Sequence, residues 1–197
     1  MNRMYPGNDF INLSKYVSCK YYPVSKSYLP MTDQIIISNA TEKDLQPMLD
    51  VYNEAIINTT AVYQEETHTL AMRRKWLEEK QQARLPVFVA YLNDEFAGFS
   101  SYGPFRNWPG YRFTVEHSVY VAAGFRGRGI GKKLVKALIE HARLQKIHVI
   151  IAGIDAAGEA SIGMHLSLGF KEVAWFKEVG FKFGRWLDLK FFELILD

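Results

Sequence analysis

The sequence predicts a mixed α/β (α+β) domain, and three observations carry that prediction. Seven short β-rich apolar runs are separated by four stretches whose apolar residues recur with the helical period. A glycine-rich turn joins one such run directly to an amphipathic stretch, as in strand–turn–helix units. The order, β-α-α-β-β-β-α-β-α-β-β, places helices between strands, so helices must cover the faces of a mixed sheet of about seven strands flanked by about four helices. The chain has 197 residues, 48% of them hydrophobic, enough for one domain with its own core.

The elements follow in order. Residues 1–30 carry three of the seven prolines, six aromatics and the single cysteine, Cys19, without a sustained period. They read as an extension, and residues 31–197 as the domain. The first strand is expected near 34–38. A helix follows, with Thr41 or Asp44 as N-cap and Pro47 in its first turn. Leu45, Met48, Leu49, Tyr52 and Ile56 form its apolar face. A second, charge-dense helix is expected at about 68–83. Strands near 86–92 and 96–102 flank the turn Asn93-Asp94-Glu95 and make a hairpin. After a Pro/Gly loop at 103–112 come a strand at 114–121, a helix at about 129–144, a strand at 147–154 and a helix at about 159–167. Two final strands are expected near 170–178 and 186–195.

Composition removes several function classes. Arg3, Lys15, Lys20 and Lys26 against Asp9 account for the whole formal surplus of +3. The domain is therefore charge-balanced and offers no field for a nucleic-acid backbone. No apolar run reaches the ~18–20 residues of a membrane span, and the N-terminus lacks a signal-peptide pattern, so a cytoplasmic setting is expected. One cysteine excludes a disulfide scaffold and a cysteine-built zinc site, and five scattered histidines form no ligand cluster, so no metal is expected.

The sharpest motif is Arg126-Gly127-Arg128-Gly129-Ile130-Gly131, between the strand ending Val119-Tyr120-Val121 and the helix carrying Ile130, Leu134 and Leu138. Glycines at such a turn let backbone amides approach a ligand, and the unpaired amides of the first helical turn favour an anion. Arg126, Arg128, Lys132, Lys133 and Lys136 follow one another without a carboxylate. Cations at a helix N-terminus are mutually unfavourable unless a polyanion neutralises them; a solvated basic face is the alternative. A P-loop fails, with Arg126 and Lys133 at positions that need Gly and Ser/Thr. A dinucleotide fingerprint fails as well, with Lys132 where the third glycine belongs.

Arg126, Gly129 and Gly131 satisfy Arg-x-x-Gly-x-Gly, which resembles the coenzyme A pyrophosphate loop of the GNAT acyltransferase superfamily. The resemblance spans about residues 34–195. It is tightened by Thr114–Val121 (TVEHSVYV), Ala160–Phe170 (ASIGMHLSLGF), Gly180–Asp188 (GFKFGRWLD), Tyr102–Arg106 and Thr60–Tyr63. These runs are similar to the phosphinothricin and methionine sulfoximine (sulfone) N-acetyltransferase branch. The resemblance implies the GNAT fold, acetyl-CoA as cosubstrate, the α-amino group of a small amino acid as acceptor, and a homodimer. It implies a parting of strands at which Val119 and Val121, with Tyr120 between them, meet the pantetheine arm. The cradle would be Arg126, Gly127, Arg128, Gly129, Ile130, Gly131 and Lys132, joined by Ser161. The family's usual Asn, three residues before that Ser, is Gly158 here.

Acetyl transfer to an ammonium needs a base, and the leaving thiolate benefits from an acid. Glu116, mid-strand before the turn, is the base candidate, in line with the family; a solvent-facing carboxylate is the alternative. His165 is the acid candidate, matching the branch; a packing histidine is the alternative. His117 should point to the strand face opposite Glu116. No cysteine lies in 31–197, so direct attack in a ternary complex is expected rather than an acetyl-cysteine. Arg106 and Arg112 are expected to fork a substrate carboxylate, with Tyr63 and Trp108 or Tyr111 as an apolar wall; an ordinary surface loop is the alternative. Rival readings are an acetyltransferase of protein N-termini or polyamines, and a non-catalytic coenzyme A sensor. A polyamine acceptor site would be lined by carboxylates. The aromatics of the last two strands read as core or as subunit interface.

Overall fold

The computed structural model describes residues 34–196, so the extension expected at 1–30, with Cys19, lies outside the described residues. The elements are β1 (Ile35–Asn39), α1 (Leu45–Asn58), α2 (Leu70–Gln82), β2 (Val87–Leu92), β3 (Glu95–Pro104), β4 (Thr114–Val121), α3 (Ile130–Leu144), β5 (Val149–Asp155), α4 (Glu159–Leu166), β6 (Lys171–Lys182) and β7 (Arg185–Ile195). They form one seven-stranded sheet in the order β1-β2-β3-β4-β5-β7-β6. Every pairing is antiparallel except β4 with β5.

The helices cover both faces. On one, Leu45, Met48 and Val51 of α1 and Leu77 of α2 pack on Val87, Val89 and Phe99. On the other, Val135, Leu138, Ile139 and Ala142 of α3 close over Val115, Ile150, Ala152 and Phe192. Alternation along β4 divides its side chains between these two layers. Val115 joins the α3 layer, and Tyr120 joins the layer of α1, where it meets Phe99 and Tyr52. No helix among the described residues is long and apolar enough to cross a membrane.

Local chemistry explains the boundaries. Thr41 and Asp44 are both used: the Thr41 amide and hydroxyl donate to Asp44 Oδ2 at 2.7 and 2.9 Å, capping a single 3-10 turn before α1. Tyr91 donates to the other oxygen of that buried carboxylate. The β2–β3 turn uses Asn93 and Asp94 at positive φ, which these side chains tolerate well. The largest departure from expectation is β6, which continues to Lys182 instead of ending near 178. Its ladder to β7 is interrupted between Phe176 and Gly180, where Glu178 takes φ 51°. The Glu178 amide donates to Asp188 Oδ1 at 2.9 Å, so a bulge held from β7 replaces a chain reversal.

Candidate active site

β4 and β5 pair over only three positions, Thr114↔Val149, Val115↔Ile150 and Glu116↔Ile151. Beyond Glu116 the two strands part, while β4 keeps its ladder to β3 as far as Gly98↔Val121. The parting leaves a strand edge without a β partner at the centre of the sheet. Two cavities open there. One of about 550 Å³ is lined by Val119, Tyr120, Val121, Met164 and the glycine turn, and one of about 780 Å³ by 116–120 on one side and 152–155 on the other. They share Thr59, Ala61, Val119, Tyr120, Arg126, Ala160 and Ser161.

The smaller cavity ends on the glycine turn. Gly127 and Gly129 take φ of 78° and 77°, a left-handed conformation that costs glycine little. The first backbone bond of α3 runs from Lys133 N–H to the Gly129 carbonyl, so the amides before it have no helical partner. Arg126, Gly127, Gly129, Ile130, Gly131 and Lys132 all line this cavity. A Cβ on Gly131 would stand 3.2 Å from Met164 Sδ, so glycine keeps the passage between α3 and α4 open. Arg128 departs from expectation. It does not line the cavity; its guanidinium lies 5.9 Å from the Phe125 ring. Arg126 is already paired with Glu54 of α1, at 2.6 Å. A diphosphate entering the turn therefore competes with that carboxylate.

Glu116 stands at the fork. It is half-buried and lines the larger cavity. A Cβ on Gly153 would lie 3.2 Å from Glu116 Oε1, so the carboxylate rests on the one position of β5 without a side chain. Burial holds the Glu116 carboxyl above the usual 4.5, and the positive charge of Arg106 partly offsets this. A base with a raised pKa is better matched to accept a proton near neutrality. The larger cavity is also lined by Asp155 and Glu159, against the single cation Arg126. Asp155 accepts from the Ala157 amide through Oδ1 at 2.9 Å, and its Oδ2 is buried without a partner. Sequence reasoning missed Asp155; the period of two from Gly153 was the available signal.

His165 lines the same cavity and is 1% exposed. Its Nδ1 lies 2.7 Å from the Ser161 carbonyl and 3.4 Å from the Ser161 hydroxyl, and its Nε2 lies 3.0 Å from Nε2 of His117. Both ring nitrogens are thus engaged within the protein. The direct proton donor to sulfur expected of His165 has no ring hydrogen aimed outward here, because a carbonyl can only accept. His117 lies on the α4 side, against Phe170 and His165, as strand alternation requires. Burial pushes its pKa down to about 3, with the His165 ring adding to the effect; burial also lowers that of His165.

The loop residues are placed differently from expectation. Arg106, Trp108, Tyr111 and Arg112 line a separate depression, with Arg84, Tyr102 and Thr114, and not the cavity of Glu116. The guanidinium of Arg106 donates to the Phe105 carbonyl and that of Arg112 to the Pro109 carbonyl. Each also stacks on a neighbouring phenylalanine, at 4.2 and 4.5 Å. Residues 105–113 fold on their own aromatics, and both guanidiniums donate to carbonyls of the loop itself. Of the four, Arg106 alone has a charge felt at Glu116. Tyr63 packs its ring over Gly180, and its hydroxyl donates to the Asp188 carbonyl at 3.3 Å. Burial, with Asp155 and Asp188 nearby, pushes its pKa up to about 12.

The rim shared by both cavities is held by a side chain with no sequence signal. Lys182, 2% exposed at the end of β6, donates to the carbonyls of Ile56, Thr59 and Val62 at 2.6, 2.9 and 2.6 Å. The ammonium caps the C-terminal end of α1 and fixes the segment carrying Thr59 to Ala61.

Comparison with known proteins matches residues 48–170 to the acetyltransferase (GNAT) family. The chain is 46% identical over 162 residues to an L-methionine sulfoximine/L-methionine sulfone acetyltransferase of Pseudomonas aeruginosa, covering 82% of this chain and 94% of that protein. Its fold matches a phosphinothricin acetyltransferase of the GNAT superfamily from Sinorhizobium meliloti, solved in complex with AcCoA. The TM-score is 0.80 at 32% identity, covering 82% of this chain and 88% of that one. It also matches a ribosomal-protein-alanine N-acetyltransferase from Brucella melitensis, with TM-score 0.80 at 49% identity, covering 82% and 99%.

Proposed function

The chain belongs to the GNAT acetyltransferase family, and on that premise we propose that it moves the acetyl group of acetyl-CoA to the α-amino group of a small amino acid or analogue of the methionine sulfoximine, methionine sulfone or phosphinothricin type. The observation that carries this reading is the fork: a glycine cradle for a diphosphate and a desolvated carboxylate stand on either side of one strand edge.

The residues present fit the cosubstrate. Main-chain amides of 127–132, with Arg126 and Lys132, hold the pyrophosphate, and the bare edge at Val119 to Val121 pairs with the amides of the arm. The thioester then lies where the two cavities join, beside Ser161. Glu116 takes the proton that frees the nitrogen lone pair. The nitrogen attacks the thioester carbon, the C–N bond forms, the C–S bond breaks with the electron pair leaving on sulfur, and the second proton shed by the nitrogen balances the departing thiolate. Positioning supplies much of the rate.

Arg106 is the carboxylate contact in this reading: it lines the neighbouring depression, not the cavity of Glu116, but its charge is felt at Glu116. Two effects are expected of Arg106→Ala: a higher KM for amino acids with that for acetyl-CoA unchanged, and a shift of the acid limb of kcat/KM to higher pH. The sign follows because Arg106 lowers the Glu116 pKa, and activity requires the ionised carboxylate above that pKa. An unmoved limb and an unchanged KM together remove Arg106 from the site.

Homodimerisation belongs to the same proposal. Trp175, Phe176, Val179, Phe181, Phe183 and Trp186 are all exposed along the β6–β7 hairpin at the sheet edge. Aromatics of this density suit an interface core. One observation favours a second acceptor class. Glu116, Asp155 and Glu159 in the larger cavity are the carboxylate lining a polyamine requires. Thiol release from acetyl-CoA, measured against methionine sulfoximine, methionine sulfone, phosphinothricin, other free amino acids, polyamines and peptides, decides between them. The proposal expects the first three to give the highest kcat/KM. A ranking led by polyamines or peptides replaces it.

A further inference from the structure

Two buried histidines and a serine remain after the base and the cradle are accounted for. The Ser161 carbonyl can only accept, so at 2.7 Å the His165 Nδ1 must carry the hydrogen. In a neutral ring, Nε2 is then a bare lone pair. It faces His117 Nε2 at 3.0 Å, and two lone pairs at that distance repel, so His117 Nε2 carries the other hydrogen. This leaves His117 Nδ1 bare, and it is the buried ring nitrogen without a partner. A doubly protonated His165 would instead strand an N–H at His117 Nδ1 and bury a charge beside Phe170. The charged groups lining the shared cavity are Glu116, Asp155, Glu159 and Arg126; none of them hydrogen-bonds either ring.

We propose that His117 and His165 form a neutral pair locked in one tautomer, in which His117 is a positioning residue: its Nε2–H holds the bare His165 Nε2, and with it the ring whose Nδ1–H binds Ser161, leaving the Ser161 hydroxyl hydrogen to donate to the thioester. Ser161 lines both cavities and so stands at their junction. With the His165 hydrogen directed at its carbonyl and, at 3.4 Å, toward its oxygen, Ser161 Oγ is an acceptor on that side. Its own hydrogen points elsewhere. A preorganised O–H aimed at developing charge on sulfur or oxygen stabilises the transition state without giving up its proton. The pair thereby aims a donor instead of relaying a proton, a role that rests on the proposed acetyl transfer.

Histidine tautomers are read directly from long-range proton–nitrogen spectra of the full chain, labelled at histidine. The expected signature is a protonated Nδ1 and bare Nε2 on His165, the reverse on His117, and no titration of His117 from about pH 5 to 8. His117→Gln keeps a side-chain N–H donor and is expected to keep the His165 signature. His117→Phe removes the donor and leaves His165 Nε2 against a phenyl ring; the Ser161 carbonyl should keep the Nδ1 hydrogen, and kcat should fall about tenfold with KM for acetyl-CoA unchanged as the ring loses its anchor. A protonated Nε2 on His165 or a protonated Nδ1 on His117 in the unaltered chain overturns the proposal, as does an undiminished kcat in a folded His117→Phe. If His117→Phe fails to fold, the unaltered chain and His117→Gln still decide it. The tautomers are read without turnover. A chain with the expected signature that acetylates none of the acceptors sinks the acetyl-transfer reading and leaves the pair standing.

Discussion

Glu116→Gln is expected to lower kcat by about 100- to 10,000-fold, the range a positioned general base contributes. The substitution keeps the shape of the side chain over Gly153 and removes its capacity to take a proton. The KM for acetyl-CoA should be unchanged, because Gly127, Gly129, Ile130, Gly131 and Lys132 line the other cavity alone. The unaltered enzyme should show an acid limb in kcat/KM set by the raised Glu116 pKa, with activity falling as pH drops through it. In Glu116→Gln that limb should vanish with the rate. Steady-state kinetics over a pH series checks both parts. Undiminished turnover, or a limb that survives the substitution, takes the base role away from Glu116.

The second large effect is on stability. Lys182→Met leaves the carbonyls of Ile56, Thr59 and Val62 without their shared donor, those of Ile56 and Val62 in the buried interior. The buried carbonyls left without a donor cost about 1–3 kcal/mol each, roughly 3–5 kcal/mol together. For a chain of this size that lowers Tm by roughly 10 °C. The segment from Thr59 to Ala61 rims both cavities, so KM should rise for both substrates in the same variant. Thermal unfolding followed by circular dichroism, with initial-rate kinetics below the transition, measures the two together. A Tm within about 2 °C of the unaltered chain contradicts the cap.

The fold was legible because its signals are local. Apolar period, the Thr41–Asp44 cap, the Asn93-Asp94 turn and the 126–131 glycines each act within a few residues, and the elements formed where those signals lie. The β6 bulge was not legible, since the Glu178 amide is held by Asp188 from the neighbouring strand. In the site, Glu116 and the glycine turn were legible for the same local reason: one strand carries the first into the second. Arg128, Trp108, Tyr111 and Arg112 stand outside the two cavities, because chemistry suited to anion binding does not fix a side chain's direction. The local aromatics do that.

The sequence by itself determined the element order, the family and the two residues-in-sequence groups that face each other across one strand edge. Their patterns are written in backbone propensity and short spacing. Only the tertiary structure decided where β4 leaves β5, that Asp155 joins Glu116, that Lys182 ties α1 to the rim, and that His117 reaches His165 across 48 positions of chain. Those pairings depend on packing between distant segments, and no local free-energy preference encodes a partner that arrives from another layer of the fold.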